Sequence, residues 1–165
     1  MPDPTRPVAG APIDTDWGQQ VHDATFTPRG VRVAGGASTS VGNTTTGEQL
    51  QLNTAVDDPA GWLASDSLTV PAGAGGLYGY FIDVQTDNGS AADRTFIRLR
   101  VNSATHIGFF IDQEDTTAHT DARAGLIELS AGDVVNVYAS KTGGLNPDVL
   151  VRSLAFLRLG TEIGA

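Results

Sequence analysis

The residues of this 165-residue chain that could do chemistry are few and poorly spaced for it. Asp112, Glu114, Asp115, His119 and Asp121 crowd oxygen and nitrogen ligands into one short stretch. Such a cluster could hold a divalent cation, but a solvated acidic loop has the same composition. Asp83, Gln85 and Asp87 followed by Asn88 and Gly89 have the outline of a calcium loop. The outline fails at its sixth position, Asn88, and its twelfth, Arg94, where a glycine and a bidentate glutamate belong. His22, His106 and His119 are scattered and form no H-E-x-x-H pattern. There is no nucleophile elbow, phosphate-binding glycine loop or dinucleotide fingerprint. Nothing selects one carboxylate pair as a glycosidase couple. The expectation is a protein that is not an enzyme, with no catalytic residues, no metal site and no cofactor.

Composition narrows the partners. A net charge of -9 opposes binding to phosphate backbones and to anionic lipid, so neither nucleic acid nor membrane is expected. There is no cysteine, which removes disulfides and thiolate metal sites. No apolar run approaches the length needed to span a bilayer, and the first residues lack the apolar segment of a signal peptide. Gly 20 and Pro 8, with almost no helix-forming runs, point to a chain of strands and turns.

With chemistry absent, surfaces that could bind become the subject. Pro2, Pro4, Pro7 and Pro12 make residues 1–12 an extended arm or a disordered tail. Residues 13–24 are the one helix candidate, with Asp14 or Thr15 able to cap it. Ile13, Trp17 and Val21 recur every four residues and would form one apolar stripe. So short a helix must dock on its own domain, on sister copies or on another protein, and because it follows a reaching arm these three residues are read as an anchor in an assembly. Packing on the chain's own body is the alternative. Residues 1–29 are thus set apart from a domain spanning residues 30–165.

From Val31 onward the periodicity is that of strands. Leu50 and Leu52 alternate with Gln49, Gln51 and Asn53 in one expected strand. Trp62 reads as a core or edge plug rather than a ligand platform. Tyr78, Tyr80, Ile82 and Val84 share the core side of a long strand, while Leu77, Gly79 and Phe81 share the other side, which a sister subunit would cover, and Gly79, with no side chain, suggests close approach by a neighbour. Ile97, Leu99 and Val101 point inward on the next strand. Its outer side carries Phe96, Arg98 and Arg100, unusual company in an acidic protein. They could meet carboxylates of a second subunit, solvated arginines being the alternative. Residues 113–122 and 141–147 read as loops. Eight to ten short strands with regular turns and no alternating helices imply an antiparallel sandwich or jelly roll.

Several strings carry a resemblance. Leu68-Thr69-Val70-Pro71 followed by Gly76-Leu77-Tyr78-Gly79-Tyr80-Phe81 resembles the F-x-V-P-x-x-G-x-Y-x-F core of the complement and tumour-necrosis-factor jelly rolls. Leu99-Arg100-Val101-Asn102 resembles the L-x-x-N-G strand end, with Ser103 in place of the glycine. Leu129-Ser130-Ala131-Gly132-Asp133-Val134-Val135-Asn136-Val137 resembles L-x-x-G-D-x-V-x-V, and residues 153–159 resemble the closing strand. The resemblance implies a ten-stranded sandwich, a compact homotrimer with one broad sheet around the three-fold axis, and binding or structural roles. A second resemblance runs from Pro7 to Val21, as Pro-Val-x-Gly-x-Pro-Ile-x-x-x-Trp-Gly-Gln-x-Val. It is similar to the start of short virion proteins of tailed phages of actinobacteria. One lysine, Lys141, against nine arginines suits a high-GC genome. Together these imply a trimeric protein on the virion surface, made in the host cytoplasm, that decorates or stabilises the capsid through its arm and contacts other virion proteins. The alternative is a minor tail protein or tail-tip appendage that recognises host-surface glycan through its polar loops.

Overall fold

Two antiparallel sheets pack face to face in the computed structural model, which describes residues 30–44, 46–87, 93–113 and 117–161. In chain order the strands are β1 (Gly30–Ala34), β2 (Thr39–Ser40), β3 (Glu48–Gln49), β4 (Thr54–Asp57), β5 (Leu63–Ala64), β6 (Ser67–Thr69), β7 (Gly76–Asp87), β8 (Asp93–Val101), β9 (Ala104–Gln113), β10 (His119–Leu129), β11 (Val134–Thr142) and β12 (Asp148–Thr161). The first sheet has the order β10-β7-β12-β1-β4, with β2 also paired to β12. The second has the order β5-β6-β11-β8-β9, with β3 also paired to β11. Among the described residues there is no helix, and every strand pair is antiparallel. The arm and the helix expected at 13–24, with Ile13, Trp17 and Val21, lie outside the described residues. So do residues 88–92 of the calcium-loop outline and Glu114 and Asp115 of the acidic cluster.

The alternation read from the sequence places the core. Tyr78, Ile82 and Val84 of β7, Ile97 and Leu99 of β8, Val135 and Val137 of β11, and Leu154 and Phe156 of β12 are buried between the sheets. Trp62 is the expected plug. It stacks on Phe156 with ring centroids 6.2 Å apart and meets the edge of Tyr78 at 5.4 Å. Asp58 fixes its backbone, accepting hydrogen bonds from the amides of Trp62 at 2.7 Å and Leu63 at 2.9 Å. The Tyr78 hydroxyl donates to the Ala74 carbonyl. Burial pushes the Tyr78 phenol above its ordinary range, and Arg158 nearby pulls more weakly the other way.

Several boundaries differ from the sequence reading. Leu50 and Leu52 are buried as expected, but the strand breaks around them into β3 and β4. Leu50 still joins the second sheet, its amide donating to the Val137 carbonyl at 2.8 Å. Residues 119–122, read as loop, begin β10 and pair with β7. Lys141 and Thr142, also read as loop, end β11. Lys141 is buried and donates to the carbonyls of Gly143 at 3.1 Å and Leu145 at 2.5 Å. A lysine whose ammonium reaches the carbonyls of its own turn looks like a loop residue in sequence and behaves as a strand residue in space.

The departure at Ser103 has a conformational meaning. Val101 pairs with Ala104, so Asn102 and Ser103 alone make the hairpin turn, with φ of 48° and 71°. Both central residues are left-handed, as in a type I′ turn, which favours Asn-Gly. Asn102 is fitted to the site. Its side chain donates to Asp133 at 2.6 Å and accepts from the Val134 amide at 2.9 Å. Ser103 carries a Cβ where glycine would be unstrained. Ser103→Gly should therefore stabilise the fold by about 0.5–1 kcal/mol, the strain relieved less the added freedom of the unfolded chain. Urea denaturation measures this; a lowered midpoint would mean that the serine side chain contributes more than its backbone conformation costs.

Candidate functional site

Among the described residues no three His, Cys, Asp or Glu side chains converge as a metal site would require. Asp112 is engaged by Arg94, whose Nε donates at 2.6 Å, and Asp121 is paired with Arg123. The surfaces that remain are the outer faces of the two sheets, and they differ in kind.

The outer face of the first sheet is apolar. Register puts Leu126 of β10, Gly79 of β7 and Leu157 of β12 in one row, and Ala124, Phe81 and Ala155 in the next. Leu126 is 60% exposed, Leu157 59%, Leu159 55% and Phe81 43%. Leu77 is half-buried on the same side of β7. Gly79 was expected to mark a close approach. Its neighbour is Leu159 of the same chain, 3.6 Å from where a Cβ would stand, which is ordinary contact. Beside these rows an open groove of about 420 Å³ is lined by Gly30, Arg32, Asp57, Phe81, Ala155 and Leu157, among others. At the rim, Arg152 lies 3.8 Å from Asp83, and Arg32 donates to Ser153 at 3.2 Å. The patch is apolar at its centre and charged at its edge, the arrangement of protein–protein contacts.

The outer face of the second sheet is a ladder of cations and rings. Arg94, Phe96, Arg98 and Arg100 alternate along β8, and Phe110 of β9 and Tyr138 of β11 lie beside them. Arg94 stands over Phe110 at 4.5 Å, Phe110 stacks on Phe96 at 4.6 Å, and Arg98 stands over Phe96 at 5.0 Å. Arg100 stands over Tyr138 at 4.2 Å. The Phe96 ring can lie against the sheet because Gly108 pairs opposite Arg98. A Cβ on Gly108 would come within 2.5 Å of Phe96 Cζ. Arg98 donates to Ser140 Oγ and to the Thr46 carbonyl at 3.4 Å, and Arg100 donates to the same carbonyl at 2.9 Å. Burial, and secondarily the charge of Arg100, pulls the Arg98 guanidinium below its ordinary range.

Leu77, Phe81, Phe96, Arg98 and Arg100 were read as one interface, and the structure divides them. Leu77 and Phe81 lie on the first sheet, and Phe96, Arg98 and Arg100 on the second. Their side chains point away from the common core in opposite directions, so no single surface holds all five. Alternation tells which residues share one side of a strand. It does not tell that the consecutive strands β7 and β8 lie in different sheets. Sequence reasoning left Leu126 unassigned and set Leu157 on one side of its strand with Ala155 and Leu159 without joining it to this surface, though these two are the most exposed members of the apolar face. Their signal was present, since both alternate with buried Ile127 and Phe156.

The geometry has known counterparts. No family model matches the sequence, and no curated protein sequence matches it. Solved structures do match. The globular domain of a zebrafish complement 1qA protein superposes with a TM-score of 0.61 at 14% identity, covering 82% of this chain and 100% of that one. Murine APRIL gives 0.58 at 14% identity, over 79% and 98%. Eiger TNF from S. frugiperda gives 0.58 at 11%, over 82% and 94%. At these identities the likeness establishes the fold, the complement and tumour-necrosis-factor jelly roll expected from the sequence strings.

Proposed function

We propose that this chain is a non-enzymatic binding or scaffolding protein that works as a homotrimer on the surface of a tailed-phage particle. The observation that carries the trimer is the apolar outer face of the first sheet. Leu126, Leu157, Leu159 and Phe81 form one patch rather than scattered exposed residues. Patches of this kind mark surfaces that another molecule covers. Three copies about a three-fold axis would each bury this face and with it Leu77 and Phe81. The resemblance at Pro7–Val21 supports the virion role, with residues 1–29, through Ile13, Trp17 and Val21, attaching the trimer to the capsid. Light scattering on the purified full chain at micromolar concentration should give three times the monomer mass. A monomeric mass would remove the trimer. Imaging particles that carry a C-terminal tag tests the place: copies over the head support capsid decoration, and copies at the tail alone overturn it.

A further inference from the structure

The second sheet's ladder has an unbalanced charge. Arg94 has a carboxylate, Asp112, but Arg98 and Arg100 meet none among the described residues. Their acceptors are neutral, one hydroxyl and one carbonyl that both share. The Nε atoms of both are out of solvent with no hydrogen-bond partner. Arg98 is only 9% exposed. A buried cation costs stability unless it is paired, and a second cation beside it adds repulsion. The chain has 19 Asp and Glu, and among the described residues none of them stands against this pair. A face built only for stability would have a carboxylate or an apolar residue there.

We infer that the outer face of β8, with its flanking Phe110 and Tyr138, is a docking surface for a carboxylate-bearing surface of a second protein. Arginine and aromatic side chains on a flat sheet face are the composition of protein contacts that carry most of their binding energy in a few residues. Arg100, half-buried and laid over Tyr138, presents a fixed planar cation suited to a carboxylate. Phe110 lies further along the same face, opposite Phe96, and is exposed there as the apolar anchor. A sugar is a poorer fit. Phe96 and Phe110 each already hold a ring and a guanidinium against them, so neither offers a free stacking platform. This surface is on the opposite side of the sandwich from the apolar patch and does not depend on the trimer.

The probe is fluorescein-labelled poly-L-glutamate, read by anisotropy against the full chain at low and physiological salt. Binding is expected despite the overall charge of -9, and it should weaken as salt rises. Arg100→Gln should weaken binding at least fivefold, and Phe110→Ala should weaken it less. Arg123→Gln, on the other sheet, should leave it unchanged. Circular dichroism on each variant confirms folding. No binding to the wild type, or equal loss in Arg100→Gln and Arg123→Gln, overturns the inference. Polygalacturonate bound as tightly as polyglutamate would replace the protein partner with an acidic glycan. A drop in the trimer's mass in Arg100→Gln would assign the ladder to contacts between copies instead.

Discussion

Leu157→Glu is expected to reduce the mass in solution from three chains to one while leaving the sandwich folded. The argument rests on where the side chain is in a single copy. Leu157 sits on β12 in register with Gly79, its neighbours Leu126 and Leu159 also point outward, and more than half of its surface is open. A glutamate there costs a lone chain little, because water solvates it. In a trimer packed through this face the same carboxylate would be taken out of water among Leu126, Leu159 and Phe81, with the nearest cation, Arg32 of the groove, already bonded to Ser153, and its two symmetry mates would bring two more. Each such unpaired charge costs several kcal/mol. A compact trimer does not tolerate that sum. Leu145→Glu is the control, since Leu145 is comparably exposed but sits in the turn between β11 and β12, away from the patch. Light scattering after gel filtration reads both variants. A trimeric Leu157→Glu protein would show that association uses some other face. Thermal unfolding adds a second reading: the wild type should melt at a temperature that rises with concentration, and the variant should not.

The sandwich was legible because its signals are local. Tyr78, Tyr80, Ile82 and Val84 alternate with Leu77, Gly79, Phe81 and Asp83 over one long strand, and the structure buries the first set. The Ser130–Asp133 turn could be read from residue type alone, whereas Asn102, read as the end of a strand, is in the hairpin turn itself. Leu50 and Leu52 show the limit of that method. Both were correctly placed in the core, yet the backbone around them is not a continuous strand. Burial follows from side-chain chemistry, whereas pairing depends on which neighbour offers backbone partners.

The candidate surfaces were legible only by halves. Periodicity assigned Phe96, Arg98 and Arg100 to an outer side correctly, and it did the same for Phe81. Joining the two into one interface required knowing the sheet order, which is set by distant pairings. β7 lies between β10 and β12, and β8 lies between β11 and β9. The cation–π ladder was out of reach for the same reason, since Arg100 meets Tyr138, and Arg94 meets Phe110, only across strands. Thr46, whose carbonyl receives both arginines, has nothing in its sequence to connect it with β8.

The opposite face of β12 should respond to substitution in the reverse way. Phe156 is one residue from Leu157, but it is buried, pairs with Tyr80 and Val31, and lies against the rings of Trp62, Tyr78 and Tyr80. Phe156→Ala should destabilise the fold by about 3–5 kcal/mol, a large share of the roughly 5–15 kcal/mol typical of a domain. The upper part of that range is favoured because the site cannot collapse easily. Trp62 is held by Asp58 through its own backbone amide and that of Leu63, and the Tyr78 hydroxyl is tied to Ala74. The cavity left by the ring therefore persists, and its cost adds to the lost transfer energy. Phe81→Ala, on the exposed side of β7, should cost under about 1 kcal/mol in a single chain. Both are best measured by urea denaturation in the Leu157→Glu background, where association does not contribute to the midpoint. Equal losses for the two phenylalanines would contradict the division of these strands into a core side and a contact side. A large loss for Phe156 alone would locate the stability of each copy in the aromatic cluster and leave the apolar outer face free for assembly.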